Sequence, residues 1–328
     1  MYNFVVFNNV DGGFWLTNAD GYYSICMQDL QGMDDVRVVG SPVDYKSKFI
    51  RFLYRIHTSA ITNKFFSFPF KEKWYPLYFD DQFDIEKPLC FILIANPPLD
   101  YLRYLKKKYP KSKFVKFYRD LVCTQKYSYE KYQKSGIIDY WITYDEVEAQ
   151  KYNMYYYHEV ESKIELYSNN EIYYDIFFAG RAKKRLSKLI EAYDYLSSRG
   201  LNCYFYLTGV PSNDRIPRSG IKYTNKIMSY KNILLHNSHA KCLLEINQEN
   251  AVGYTSRFLE AVMYDKKLIT DHQNIKKTVF YKYGFIQCFN KIQDVDISFV
   301  KDNSKVCHNY HDEFSPKGFI DFLKSIIT

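Results

Sequence analysis

No apolar run in this sequence approaches the ~20 residues that a membrane-spanning helix requires. No basic stretch leading into an apolar one opens it, so no secretory leader is expected. C-x-x-C spacing is missing and the cysteine count of seven is odd, which argues against a disulfide framework. Several of the cysteines sit in apolar runs, Cys90 in LCFILIA and Cys242 in KCLLEI, as expected of reduced, buried thiols in a cytosolic protein. There is no repeat of solenoid period and no low-complexity tract. A recognisable nucleic-acid-binding motif is also missing, and the basic residues are not gathered on one element.

What is present is the composition of a chain that buries a core: 328 residues, 47% hydrophobic and 25% charged. The length suggests two domains. The 34 Tyr and 25 Phe are an excess with two readings. Aromatic rings can pave sugar-binding clefts, and they also replace Leu and Val in AT-rich genomes; the second reading is the simpler. A net charge of +8 attracts nucleotides, nucleic acid or anionic headgroups without choosing among them.

Short apolar runs alternate with longer amphipathic segments, the pattern of the α/β class. Strands are expected at Asn3–Phe7, Val36–Val39, Cys90–Ala95, Phe114–Phe117 and Tyr140–Thr143. The pattern restarts with strands at Asp175–Phe178, Cys203–Thr208, Ala240–Ile246 and Lys267–Thr270 and helices at Ala182–Arg199, Ser256–Tyr264 and Pro316–Ile326. The polar segment YSNNEIYYD marks the boundary between domains at 1–168 and 169–328, each Rossmann-like. Such halves would face each other across a cleft at their strand ends, and the last helix could pack back on the first.

Two segments carry chemistry. In DIFFAGRAKKR, a strand expected to end at Gly180 leads into a basic cluster that opens a helix. Glycine permits a close backbone approach, the helix start offers N–H groups to an anion, and Arg181 and Lys184 add charge-assisted donors. The plain alternative is a solvated basic face. In EINQENAVGYTSRFLEAVMYDKKLIT, a strand ends, Gly253 and Thr255 form a polar loop, and a helix follows with Arg257 and Glu260. Glu260 is placed to hold two ribose hydroxyls; alternatively it pairs with Arg257, its i,i+3 neighbour.

The order FFAGR, TG, KCLLEI, GYTSRFLEA and KKLIT resembles the C-terminal domain of GT-B glycosyltransferases, those of bacterial surface-polysaccharide and lipopolysaccharide assembly in particular. FYRDLV and DYWITYDEVEAQKYNMYYY resemble the same group, so the likeness runs from about Phe114 to Thr270. It implies a transferase that moves a sugar from a nucleotide-diphosphate sugar to a glycan or lipid-linked glycan. Gly180, Arg181 and Lys184 would contact the diphosphate, Gly253 and Thr255 would cradle it, Glu260 would hold the ribose, and Thr208 and Gly209 would line the base pocket. Many retaining members carry Glu where Val252 stands; Glu249 is the nearest acid, so the stereochemistry stays open.

An inverting reaction needs a general base on a strand-end loop of the first half; Asp11 and Asp120 are the candidates. Asp11 could equally be a turn residue before Gly12, and Asp120 a partner of Arg119 or Lys116. No metal or other cofactor is expected, since Arg181, Lys184 and helix starts could stabilise the departing diphosphate. The cluster Cys307, His308, His311 and Asp312 reads as a loop rather than a zinc site. The protein is expected in the cytoplasm, with peripheral contact at the inner face of the plasma membrane conceivable through Tyr101–Tyr109. A basic, aromatic nucleic-acid-binding protein, and a GT-B-like protein that binds or epimerises a sugar nucleotide, are the alternatives.

Overall fold

The computed structural model describes residues 2–8, 22–39, 47–59, 70–79, 82–83, 87–167, 171–248 and 252–327. The chain forms two compact units. The first comprises Met1–Ala19, Cys26–His158 and Pro316–Thr328; the second comprises Asp20–Ile25 and Glu159–Ser315. The division thus falls at His158–Glu159, where the sequence suggested 168–169, and the final helix, Pro316–Ile326, belongs to the first unit.

The first unit is a parallel sheet of β1 (Asn3–Phe7), β2 (Val36–Val39), β3 (Leu89–Leu93), β4 (Lys113–Tyr118), β5 (Tyr140–Thr143) and β6 (Tyr155–Tyr156), in the order 2-1-3-4-5-6. Its helices include α1 (Lys48–Thr58), α2 (Leu99–Lys108), α3 (Lys126–Ser135) and α4 (Glu146–Tyr152). Every residue of β3 is buried, which is why that strand reads as an unbroken apolar run. Asp145 caps α4 by accepting from Glu148 N at 3.0 Å. The aromatic excess fills the core here: Phe79 stacks on Tyr101 with centroids 3.9 Å apart, and Phe91 on Phe114 at 5.0 Å. The final helix packs against the other face of β4, with Phe319 stacked on Phe117, and Lys324 reaches Asp35 at 2.8 Å.

The second unit holds β7 (Tyr174–Arg181), β8 (Cys203–Thr208), β9 (Ile221–Thr224), β10 (Ala240–Glu245), β11 (Lys267–Thr270) and β12 (Ile286–Cys288). They form one parallel sheet in the order 12-11-10-7-8-9. Its helices include α5 (Leu186–Ser198), α6 (Tyr230–Ser238) and α7 (Ser256–Met263). This is the doubly wound order, and it reverses direction between β7 and β10. Such a reversal splays the connecting chains to opposite faces and leaves a crevice beyond the carboxyl ends of those two strands.

Two features of this unit give direct tests. A Cβ on Gly220 would lie 2.1 Å from the Cys203 carbonyl oxygen and 2.8 Å from the Tyr193 hydroxyl, at the point where Phe205 N bonds Gly220 O. Gly220→Ala is expected to lose ~2 kcal/mol by forcing β8 and β9 apart. An unchanged denaturation midpoint would contradict this.

Lys266 donates to the carbonyls of Ser238 (2.6 Å) and Ala240 (3.0 Å), and burial pulls its ammonium down to about 8. Between about 8 and the ordinary 10.5 the folded chain binds fewer protons than the unfolded one, so stability from this group rises with pH across that window. In paired pH titrations of stability, Lys266→Met should flatten that rise; identical slopes for both proteins would contradict it.

Candidate functional site

The switch point is built first by the end of β7. Gly180 lies opposite Leu207 and Arg181 opposite Thr208 in the ladder with β8, and Ala182 N donates to Thr208 O at 3.2 Å. The strand therefore does not end at Gly180 as the sequence suggested. The turn falls on Lys183, which adopts φ 47°, and a 3-10 turn, Lys183–Arg185, precedes α5. The ladder to β8 holds Gly180 extended, so the left-handed residue has to come later. A Cβ on Gly180 would meet Arg185 Nη2 at 3.4 Å, an ordinary contact, so the fold alone does not demand glycine there.

Arg181 and Lys184 are exposed, whereas Arg185 turns inward. Its guanidinium lies 5.2 Å from the centroid of Phe178, Nη1 donates to Ile246 O, and Nη2 donates to Arg181 O at 3.3 Å. Burial, with Arg257 nearby, lowers its proton affinity, and Glu245 and Asp271 oppose that. The run KKR thus supplies two exposed cations, Lys183 and Lys184, and a half-buried tether, Arg185.

The end of β10 is a second anchor. Glu245 is 3% exposed; its Oε1 accepts from Thr255 Oγ1 and its Oε2 from Thr270 Oγ1. Thr255 is also the N-cap of α7, accepting from Arg257 N at 3.2 Å. One carboxylate therefore fixes the start of α7 against β10 and β11. Burial pushes the Glu245 carboxyl up, and the two hydroxyl donors pull it back.

Behind the cap, Arg257 Nη1 reaches Asn237 Oδ1 at 2.9 Å and Glu260 Oε2 at 3.0 Å, while Nη2 donates to Ala179 O at 2.9 Å. Asn237 Nδ2 also donates to Glu260 Oε2, at 2.7 Å. Burial pushes the Glu260 carboxyl up, and Arg257 opposes this. This buried group ties α7 to α6 and to the end of β7, next to Gly180.

The remaining expected residues spread as follows. Thr208 is buried at the end of β8, and Gly209 follows it with φ 70°. Gly253 is buried. In the first unit Asp120 is exposed just beyond β4 and makes no hydrogen bond or ion pair among the described residues. Its suggested partners are engaged elsewhere: Lys116 donates to the carbonyls of Ile94 and Ala95, and Arg119 reaches Cys26 Sγ. Asp11 and Glu249 lie outside the described residues.

His308 is buried, its N donating to Asp265 Oδ1 and its ring bonded to Lys266 O. Among the described residues no group of three His, Cys, Asp or Glu is arranged to hold a metal ion, and no helix is long and apolar enough to cross a membrane.

Sequence reasoning gave no role to Arg185, Glu245, Asn247 or His272. Asn247 N donates to Asp271 Oδ1 at 2.8 Å, and His272 Nε2 bonds Val252 O at 3.0 Å. The contacts of these residues join strands far apart in sequence, and no local signal carries them.

No protein-family model matches the chain, and no curated protein matches it. Among solved structures it is similar to an α,α-trehalose-phosphate synthase (UDP-forming) from Burkholderia vietnamiensis, at 8% identity over 92% of this chain and 88% of that one, with a TM-score of 0.46. It is also similar to the pneumococcal O-GlcNAc transferase GtfA in complex with UDP and GlcNAc, at 13% identity and a TM-score of 0.44, over 72% of this chain and 56% of that one. A third is T4 phage BGT with its UDP-glucose substrate, at 16% identity and a TM-score of 0.40, over 67% of this chain and 74% of that one. No score among these three reaches 0.5.

Proposed function

We propose that the chain is a glycosyltransferase that binds a nucleotide-diphosphate sugar at the carboxyl end of its second sheet. The observation that carries this reading is the junction of two phosphate-compatible turns at the β7–β10 switch point. Gly180–Lys184 brings three exposed cations, Arg181, Lys183 and Lys184, and Gly253–Thr255 leads into the capped start of α7. Arg257 joins them by binding Ala179 O.

In this reading Gly180, Arg181, Lys184, Gly253 and Thr255 hold the diphosphate, with Thr208 and Gly209 on the base side. Arg181 and Lys184 also neutralise charge on the departing nucleotide. The ribose contact assigned to Glu260 competes with the two bonds its Oε2 makes in the folded chain. Asp120, and Asp11 with it, are the proposed general bases. A glycan or lipid-linked glycan of the cell surface is the proposed acceptor, met in the cytoplasm or at the inner face of the plasma membrane.

A thermal-shift screen with nucleoside diphosphates and their sugars tests the binding half. A ligand at a hundred times its dissociation constant stabilises by about 2.7 kcal/mol, and one base series is expected to stand out. No stabilisation by any series, together with salt-sensitive binding to DNA or RNA, would overturn the reading in favour of nucleic-acid binding. Conversion of a sugar nucleotide without an acceptor would point to an epimerase.

A further inference from the structure

Large apolar side chains left in water mark a contact surface when they gather. On α1, Phe49 is 63% exposed and Phe52 58%. They stand i,i+3 on one face. Tyr54 and His57 turn inward from the opposite face, Tyr54 edge-on to Tyr78 and His57 Nδ1 bonded to the Tyr78 hydroxyl at 2.7 Å. The helix sequence, KFIRFLYRIHT, holds three Lys or Arg and no acid. Phe70, on the segment that leads to Tyr78, is 70% exposed and adopts φ 58°. That conformation strains a bulky residue, and its ring gains no burial in return.

The Phe70 segment connects this face to a basic cavity. Tyr75 packs on Tyr101 of α2 with centroids 5.2 Å apart, and Glu72 lies 3.4 Å from Lys107. Lys107 also lines a cavity of about 400 Å³, with Arg103, Lys106 and Asp139. From Arg103 to Lys113 the sequence has six cations and no acid. The dipole of α2 accounts for lysines in its last turn. It does not account for phenylalanines exposed near them. The sequence offered Tyr101–Tyr109 itself for membrane contact, yet Tyr101, Leu102, Leu105 and Tyr109 are buried in the core. In this unit α2 supplies charge, and α1 and Phe70 supply the apolar surface.

Exposed aromatic rings beside cations complement an anionic amphiphile: its phosphates meet Lys and Arg, and the rings enter the boundary with the acyl chains. We propose that α1, the turn at Phe70 and the cavity at Arg103 and Lys107 dock the first unit on a bilayer of anionic phospholipid. Phe49, Phe52 and Phe70 are the apolar anchors, and Arg103 and Lys107 hold lipid phosphate. The Glu72 pair with Lys107 is exposed and weak enough to yield to it. The proposal does not depend on the donor site.

The test sediments the full chain with vesicles of phosphatidylcholine, with and without phosphatidylglycerol. One variant carries Phe49→Ser and Phe52→Ser, the other Arg103→Ala and Lys107→Ala. All four side chains are exposed, so both variants should melt close to wild type. Wild type is expected to bind the anionic vesicles and to leave the neutral ones. The charge variant should bind about 30-fold more weakly, since each cation near an anionic surface contributes a factor of about five. The phenylalanine variant should lose about tenfold.

No binding to anionic vesicles would overturn the proposal, as would unchanged binding by both variants. Loss in the charge variant alone would also overturn it, leaving a polyanion site; tight binding of a single-stranded oligonucleotide, lost in that same variant, would make nucleic acid its ligand. A dimer that the two serines convert to a monomer would make the phenylalanines a contact between copies and overturn it too. Thermal shift with nucleotides should be the same in both variants, so failure here leaves the donor site standing.

Discussion

Glu260→Ala is expected to cost the second unit about 3–5 kcal/mol. The substitution leaves the Arg257 guanidinium buried, its side chain 12% exposed, with its charge uncompensated, and it leaves Asn237 Nδ2 without an acceptor. Glu260→Gln keeps an acceptor for Asn237 and loses only the charge, so its loss should be smaller. Denaturant unfolding, with the slope checked against wild type, measures both.

A Glu260→Ala chain as stable as wild type would contradict the structural role. If that stable chain also failed to bind a nucleotide, Glu260 would instead be the ribose ligand that the sequence suggests. The two roles separate because one is read in unfolding and the other in binding to folded protein.

The second large effect is expected on affinity with no change in stability. Arg181 and Lys184 are exposed, so replacing both by Ala should leave the melting temperature of the free chain close to wild type. Each charge-assisted contact to a phosphate is worth about 1.5 kcal/mol or more. Together their loss should weaken nucleoside diphosphate binding about 100-fold. The variant should also lose much of the salt dependence that two exposed cations confer. Undiminished affinity would place the diphosphate elsewhere.

Much of this architecture is legible in the residues, and the exceptions have physical causes. Strands such as LCFIL and AKCLLE are buried on both faces and announce themselves as apolar runs. β9 and β12 are short and only partly buried, and β6 is exposed, so none of the three carries an apolar pattern. The helix Tyr230–Ser238 mixes polar residues through its buried face, where even Asn237 is 1% exposed.

At the site, the glycine and basic residues of FFAGRAKKR and the polar loop at Gly253 and Thr255 were visible because their chemistry is local, whereas the cap that Thr255 provides was not. That Arg257 pairs with Glu260 was open to view as an i,i+3 spacing. Its further bonds to Asn237 and Ala179 were not, because those residues stand on other elements. Nor could the sequence show that Lys183 takes the left-handed turn in place of Gly180. That outcome follows from the register between β7 and β8.

The central claim, that a nucleotide binds at the β7–β10 switch point, is tested most directly by amide hydrogen exchange. Exchange would be compared with and without the nucleoside diphosphate that most raises the melting temperature. The predicted result is slowed exchange at Gly180–Leu186 and Val252–Phe258, with the carboxyl end of β10 following. Protection confined to the first unit, or to the amino ends of the second sheet, would contradict the account.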